Sequence, residues 1–287
     1  MTLDVCLVNC NDDLILNKNI DFHRKNNSNL TLKYIICENS FGKTIGIDIL
    51  SVSGIPKKLC SNTPKNYKKA DHTRVFNEGN HHALGLEKSI SLSSSKFVIL
   101  TDPDFFFIAD IKGIIEHMEL NKLAVVGAPY GIFSEHSVLD QYELPSVNNT
   151  PSCFFTIINR ELFLDPILMD VRKHNDCYHY TNNLVKKPHL AEIADTSTPF
   201  QEVLHKYKYV SFNVCINKNC SICNRELPKI NEVMKDYPNY ERFFFQDHLV
   251  GIHLHNNRWR NSARNIDIDT LKQYNRKIFH PTSIYVQ

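Results

Sequence analysis

Ser93-Ser-Ser-Lys96-Phe97-Val-Ile-Leu-Thr101-Asp102-Pro103-Asp104-Phe105-Phe-Phe107 is the stretch on which the reading of this chain turns. Phe97 to Thr101 is short, uncharged and rich in β-branched and aromatic residues, and it follows a polar Ser/Lys turn. That pattern predicts a buried strand. Pro103 donates no backbone N–H and restricts Asp102, so the strand stops there. Asp102 and Asp104 then stand just beyond the strand's carboxyl end, where open α/β sheets bind ligands. Two like charges this close repel, and a hard divalent cation such as Mg²⁺ or Mn²⁺ relieves the repulsion. In isolation Asp-Pro-Asp also suits a solvated turn.

Upstream, Leu3 to Val8 reads as a first strand ending in the polar loop Asn9-Cys-Asn-Asp-Asp13. Leu14 to Lys25 follows as a helix capped by Asp12 or Asp13. Leu32 to Cys37 is a second strand ending in Glu38-Asn39-Ser40. A β-α-β start of this kind builds a right-handed parallel sheet. Polar residues at two successive strand ends, Asn9 and Asp12, then Glu38 and Asn39, suit a nucleotide base and ribose. No Gly-x-Gly-x-x-Gly follows the first strand, which argues against a dinucleotide-binding domain. Ile45 to Ser51 is a candidate third strand, and 52–73 reads as loop. Gly79, with the Asn and His residues around it, suits a helix start able to meet an anion.

His82-Ala-Leu-Gly-Leu-Glu-Lys-Ser-Ile, Ser-Ser-Ser-Lys and Phe-Val-Ile-Leu-Thr-Asp-Pro-Asp succeed one another here, followed by a helix-like stretch from Ile108 to Leu120. The order and spacing resemble the DxD strand-end of GT-A glycosyltransferases, nucleotide-sugar-dependent enzymes, in a DxD-containing, family-2-like form. The resemblance implies an α/β fold of the GT-A class, with a Rossmann-like, mostly parallel central sheet flanked by helices. It implies Asp104 as a direct metal ligand and Asp102 nearer the ribose or a metal-bound water. His82 is then a donor-phosphate contact or, alternatively, a helix-capping histidine.

Downstream, Leu123 to Gly127 is another strand with a turn at Ala128-Pro-Tyr-Gly131. Ser152 to Phe163 reads as core, and resembles the family's strand-then-helix where the acceptor side begins. A helix starts near Thr198 with Pro199 at its first position. Asp195, in Ile-Ala-Asp-Thr-Ser-Thr-Pro, is in the region that supplies the catalytic base in the resembling family, and Glu192 is the second candidate. Asp195 also suits a capping or loop role. Asp236 to Glu241 reads as a Pro/Tyr loop. The late segment from Phe243 to Trp259 carries His253 and His255, which share one face of a strand. It resembles the family's late His-containing strand end, whose His completes the metal shell. A histidine-rich edge strand is the alternative.

Cys215, Cys220 and Cys223 form one cluster. A structural zinc needs four ligands, so Cys177, His174 or His179 would have to supply the fourth, and free thiols are the competing reading. The chain's 287 residues and 42% hydrophobic content predict a globular core. The net charge of +2 is too small to mark nucleic acid or a membrane as the main partner. No run approaches ~18 apolar residues, so no transmembrane segment is expected. Met1 to Cys6 lacks the pattern of a signal peptide, and nine cysteines, an odd number, suit reduced thiols; both predict a cytoplasmic protein.

The expectation is one GT-A domain over 1–287, with the nucleotide-sugar half over about 1–127, the acceptor half over about 128–260 and a tail helix within 261–287. Its activity would be metal-dependent (Mn²⁺ or Mg²⁺) transfer of a sugar to a glycan or other hydroxyl acceptor, with inversion, as in glycan biosynthesis. The alternatives are a nucleotidyltransferase acting on sugar phosphates, for which the basic Gly-rich loop after the first strand is missing, and a zinc-stabilised binding module.

Overall fold

A computed structural model describes residues 1–9, 13–38, 50–52, 82–83, 85–129, 150–169, 198–215, 241–245 and 248–254. Strand β1 (Thr2–Asn9) leads through helix α1 (Asp13–Asn26) into β2 (Thr31–Glu38), and β3 is Leu50–Val52. Helical backbone over 85–91 (α2) precedes β4 (Phe97–Thr101). β5 (Phe105–Phe107), α3 (Ile111–Asn121), β6 (Val125–Pro129) and β7 (Pro151–Asn159) follow. Then come α4 (Thr198–Val203), β8 (Tyr209–Ser211), β9 (Asn213–Cys215), β10 (Glu241–Phe245) and β11 (His248–His253).

The strands form two sheets. The larger runs β3-β2-β1-β4-β7-β6-β8. β3, β2, β1 and β4 pair in parallel, as do β6 and β8, while β7 runs antiparallel to both its neighbours. This is the Rossmann-like, mostly parallel central sheet flanked by helices expected of the GT-A class. Its central strands are mostly apolar because both faces are covered, and the buried charge on β1, Asp4, accepts from the Ser94 and Ser95 N–H groups at 2.6 and 2.8 Å. Leu3, Val5, Leu7, Phe97 and Ile99 face one cluster with Leu16 and Ile20 of α1 and Ile114 and Met118 of α3. Cys6, Val8, Val98 and Leu100 face the other, with Leu86 and Ile90 of α2 and Phe200 of α4.

The second sheet, β5-β11-β10-β9, is wholly antiparallel. Phe105, Phe107, Phe243 and Phe245 bring it into the first cluster. Phe155 of β7 stacks between Phe105 and Phe107, at 4.7 and 4.5 Å between ring centroids, and so joins the two sheets. Gly251 on β11 has no room for a side chain: an added Cβ would lie 2.5 Å from Cζ of Phe105.

β5 is an edge strand, and its free side and the start of α3 are closed by polar residues at four-residue spacing, two on α1 and one just past its end, which continue one helix face. Asn19 Nδ2 donates to the Phe105 carbonyl at 2.6 Å, the Phe107 N–H donates to His23 Nε2 at 3.1 Å, and the Ile111 N–H donates to Asn27 Oδ1 at 3.1 Å. All three residues are buried. Backbone groups that would template aggregation are thus satisfied inside the molecule. The arrangement needs a neutral His23, and burial holds its pKa down at about 3, against an ordinary 6.5. The unfolded chain therefore takes up a proton that the folded one refuses between those values. Stability from this group is complete above pH 6.5 and declines as pH falls towards 3. Urea midpoints measured between pH 7 and pH 4 should fall in the wild type and fall less steeply in His23→Gln.

Several sequence boundaries move. The helix expected over Ile108 to Leu120 begins at Ile111, where Asp110 caps it by accepting from the Lys112 N–H at 3.1 Å. The strand expected at Leu123 to Gly127 is Val125–Pro129. The strand-then-helix expected over 152–163 is the strand Pro151–Asn159 followed by a turn, held by the Phe163 N–H donating to the Asn159 carbonyl at 2.8 Å. Glu241 was expected to close a loop, and instead opens β10. Of the candidate third strand only its end is described, as Leu50–Val52. The tail expected to be helical lies outside the described residues.

Candidate metal centre

β4 ends in the main sheet at Thr101 and β5 begins in the second sheet at Phe105, so Asp102-Pro103-Asp104 is the link between the two sheets. Backbone contacts fix both of its sides. The Asp102 N–H donates to the Phe154 carbonyl at 2.9 Å, and the Phe105 N–H donates to the Asp102 carbonyl at 3.2 Å. The Leu254 N–H donates to the Asp104 carbonyl at 3.1 Å, which ties the end of β11 to the same link.

β11 delivers His253 to this point because it pairs with β5, with His253 opposite Phe105. Donor atoms of Asp102, Asp104 and His253 all lie within 4.8 Å of one another. His253 Nε2 is 3.3 Å from Asp104 Oδ1, and Nδ1 is 2.9 Å from Glu241 Oε2. The imidazole is buried and stacks flat on Phe154, with centroids 4.7 Å and planes 6° apart. Burial alone would favour the neutral ring, but Asp104 and Glu241 outweigh it and raise the pKa to about 10. A proton on the ring is thus held where a cation can replace it. His82 Nε2 lies 3.1 Å from Asp102 Oδ1 at the start of the α2 region.

Two carboxylates and an imidazole, the carboxylates half-buried and the ring inside, make an O,O,N donor set suited to Mn²⁺ or Mg²⁺ rather than to a soft ion. The sequence-expected ligands Asp102, Asp104 and His253 are therefore brought together. His255, expected beside them, lies outside the described residues. Asn9 ends β1 directly opposite Glu38 at the end of β2, and it is fully buried. β1 pairs in parallel with β4, so these strand ends lie on the same side of the sheet as Asp102. Asp12, Asn39, Asp195 and Glu192 lie outside the described residues, as do Cys220, Cys223 and the side chain of Cys215. Cys6, Cys37 and Cys153 are buried, and burial pushes the Cys6 thiol up to about 12. All three sit among apolar side chains, and Cys6 lacks the low pKa of a reactive thiol. No helix among the described residues is long and apolar enough to cross a membrane.

Sequence reading missed Glu241. The signal was a hairpin: Glu241 and His253 flank the aromatic run Phe243-Phe-Phe, and pairing its two halves sets them opposite each other.

No protein-family model matches the chain, and no curated protein matches it in sequence. Among solved structures, the galactosyltransferase LgtC, in complex with donor and acceptor sugar analogues, aligns with a TM-score of 0.40 at 10% identity, covering 74% of this chain and 73% of that one. The mannosyltransferase PcManGT of Pyrobaculum calidifontis, in complex with GDP-Man and Mn²⁺, aligns at 0.37 and 13%, covering 78% of this chain and 59% of that one. The glycosyltransferase GlyE of Streptococcus pneumoniae aligns at 0.39 and 10%, covering 95% and 62%.

Proposed function

We propose that this protein is a metal-dependent glycosyltransferase that moves a sugar from a nucleotide-sugar donor to an acceptor hydroxyl with inversion at the anomeric carbon. The observation that carries the reading is the convergence of Asp102, Asp104 and His253 at the carboxyl end of β4. A Mn²⁺ or Mg²⁺ ion would be held by Asp104 and His253, and by Asp102 directly or through a bound water beside the donor ribose. When bound, that ion supplies positive charge against the charge growing on the departing nucleoside diphosphate. The chain's own residues do the rest. Asn9 and Glu38, with Asp12 and Asn39, bind the base and ribose, a carboxylate at the second strand end accepting from a ribose hydroxyl. His82 orients Asp102 and contacts the donor phosphate. Asp195, with Glu192 as the second candidate, takes the proton from the acceptor hydroxyl. In this scheme the whole of 1–287 is one domain, its donor half first and its acceptor half second. A structural zinc at Cys215, Cys220 and Cys223 is a separate proposal that metal analysis of the purified chain would decide.

The test is a panel of nucleotide-sugars incubated with the protein and Mn²⁺. At least one donor should release its nucleoside diphosphate, the release should stop with EDTA, and excess Mn²⁺ should restore it. Release that EDTA leaves undiminished contradicts metal dependence. Pyrophosphate formed instead from a nucleoside triphosphate and a sugar phosphate would make the protein a nucleotidyltransferase.

A further inference from the structure

His253 has two ring nitrogens, and the metal centre has use for one. Nε2 lies 3.3 Å from Asp104 Oδ1, on the side where the two aspartates converge. Nδ1 lies 2.9 Å from Glu241 Oε2. This pairing is built into the second sheet. Glu241 of β10 stands directly opposite His253 of β11, so both side chains leave the same face at adjacent positions. Phe154 lies parallel to the imidazole and Phe105 flanks it at 5.9 Å, so the ring plane is clamped from its faces while the carboxylate meets its edge.

Glu241 is itself an awkward residue for a strand interior. It is 3% exposed, and its second oxygen, Oε1, has no hydrogen-bond partner among the described residues. A buried carboxylate with an unsatisfied oxygen weakens a fold, and a neutral side chain of the same size would avoid that cost. Among the described residues its hydrogen bond goes to the imidazole edge that faces away from the aspartates.

We propose that Glu241 is a positioning residue for metal binding. It accepts the Nδ1–H of His253, fixes that tautomer, and presents the Nε2 lone pair to the cation that Asp102 and Asp104 share. A carboxylate behind a ligating histidine sets the ring's orientation and makes the ligating nitrogen more basic. Glu241 does not touch the cation itself. This inference rests on the metal-centre reading above and names the residue that tunes it.

Mn²⁺ affinity of the full chain, followed by the loss of the free-ion signal in electron paramagnetic resonance, tests it in a double-mutant cycle. Glu241→Gln should weaken Mn²⁺ binding about tenfold, the usual scale for loss of such a partner. In a His253→Ala background the same substitution should cost nothing further, because the residue through which Glu241 acts is gone. An equal loss in both backgrounds would assign Glu241 to the fold alone and overturn the inference. Unchanged affinity in Glu241→Gln would also overturn it while leaving the metal centre standing, and a wild type that binds no Mn²⁺ would remove both. Should Glu241→Gln fail to fold, wild-type protein loaded with Co²⁺ supplies the second readout. Its proton NMR spectrum in H₂O should contain a hyperfine-shifted, exchangeable imidazole N–H that His253→Ala removes, and its absence would overturn the proposal.

Discussion

Asp104→Ala is expected to lower sugar transfer by about a hundredfold or more and to abolish measurable Mn²⁺ binding, while His253→Ala should weaken Mn²⁺ binding and leave it measurable. The reasoning is electrostatic. Asp104 is the aspartate in contact with His253, at 3.3 Å, and is half-buried, so its charge is less screened by solvent than that of a surface residue. Removing it takes away one of three ligands and leaves the imidazole without its partner on the metal side. Losing one charge-stabilising group at a reacting centre commonly costs 10²–10³ in turnover, so about that loss is expected here. The Asp104 side chain is not part of the core clusters, so the variant should melt within a few degrees of wild type. His253→Ala removes a buried ring stacked on Phe154, and its melting temperature should fall further. Calorimetric Mn²⁺ titration and thermal melts on the same preparations separate the two effects. Near-normal Mn²⁺ affinity in both variants would place the cation elsewhere.

Asp195→Asn is the second large expected effect. The proposed base must be a carboxylate that the cation does not hold, because a coordinated carboxylate is a poor proton acceptor. The amide keeps the size and loses the basicity, so turnover should fall by orders of magnitude, about 10²–10⁴ for loss of general base catalysis, while Mn²⁺ and donor affinity stay within about twofold of wild type. A free carboxylate is a weak base at neutral pH, so partial burial or late proton transfer has to assist it. The anomeric configuration of the product, read by NMR, should be inverted. Retained configuration, or near-normal turnover in Asp195→Asn, moves the role to Glu192 or to a retaining mechanism.

How much of this was legible in the chain depends on how local the cause was. β1, β2 and β4 could be read because a strand buried on both faces is a mainly apolar run, even with Asp4 in β1 and Lys33 in β2, and Pro103 had to end the last of them. The ligand pair Asp102 and Asp104 followed directly from that ending, and His253 from its place in a late apolar strand. β5 could not be read, since three phenylalanines after a turn look like core filling. They are a strand only because β11 pairs with them. The Asn19, His23 and Asn27 stripe carried a signal that was passed over: a helix with Ile15, Leu16, Ile20 and Phe22 on its buried side had a second set of polar residues at the same four-residue spacing. Such residues face solvent in most helices, and here an edge strand takes that place. Glu241 was the least accessible of all, because its meaning lies in the partner across a hairpin whose register depends on a bulge at Phe243 and Phe244.

The central claim is that Asp102, Asp104 and His253 hold one divalent cation together with a nucleoside diphosphate. The most direct measurement is anomalous diffraction from crystals grown with Mn²⁺ and a nucleoside diphosphate. A manganese peak within coordinating distance of Asp104 and His253, with the diphosphate on its open side and the base near Asn9, is the result this account predicts. Ordered nucleotide at that strand end with no manganese beside these residues, or manganese bound only at another place on the chain, would contradict it.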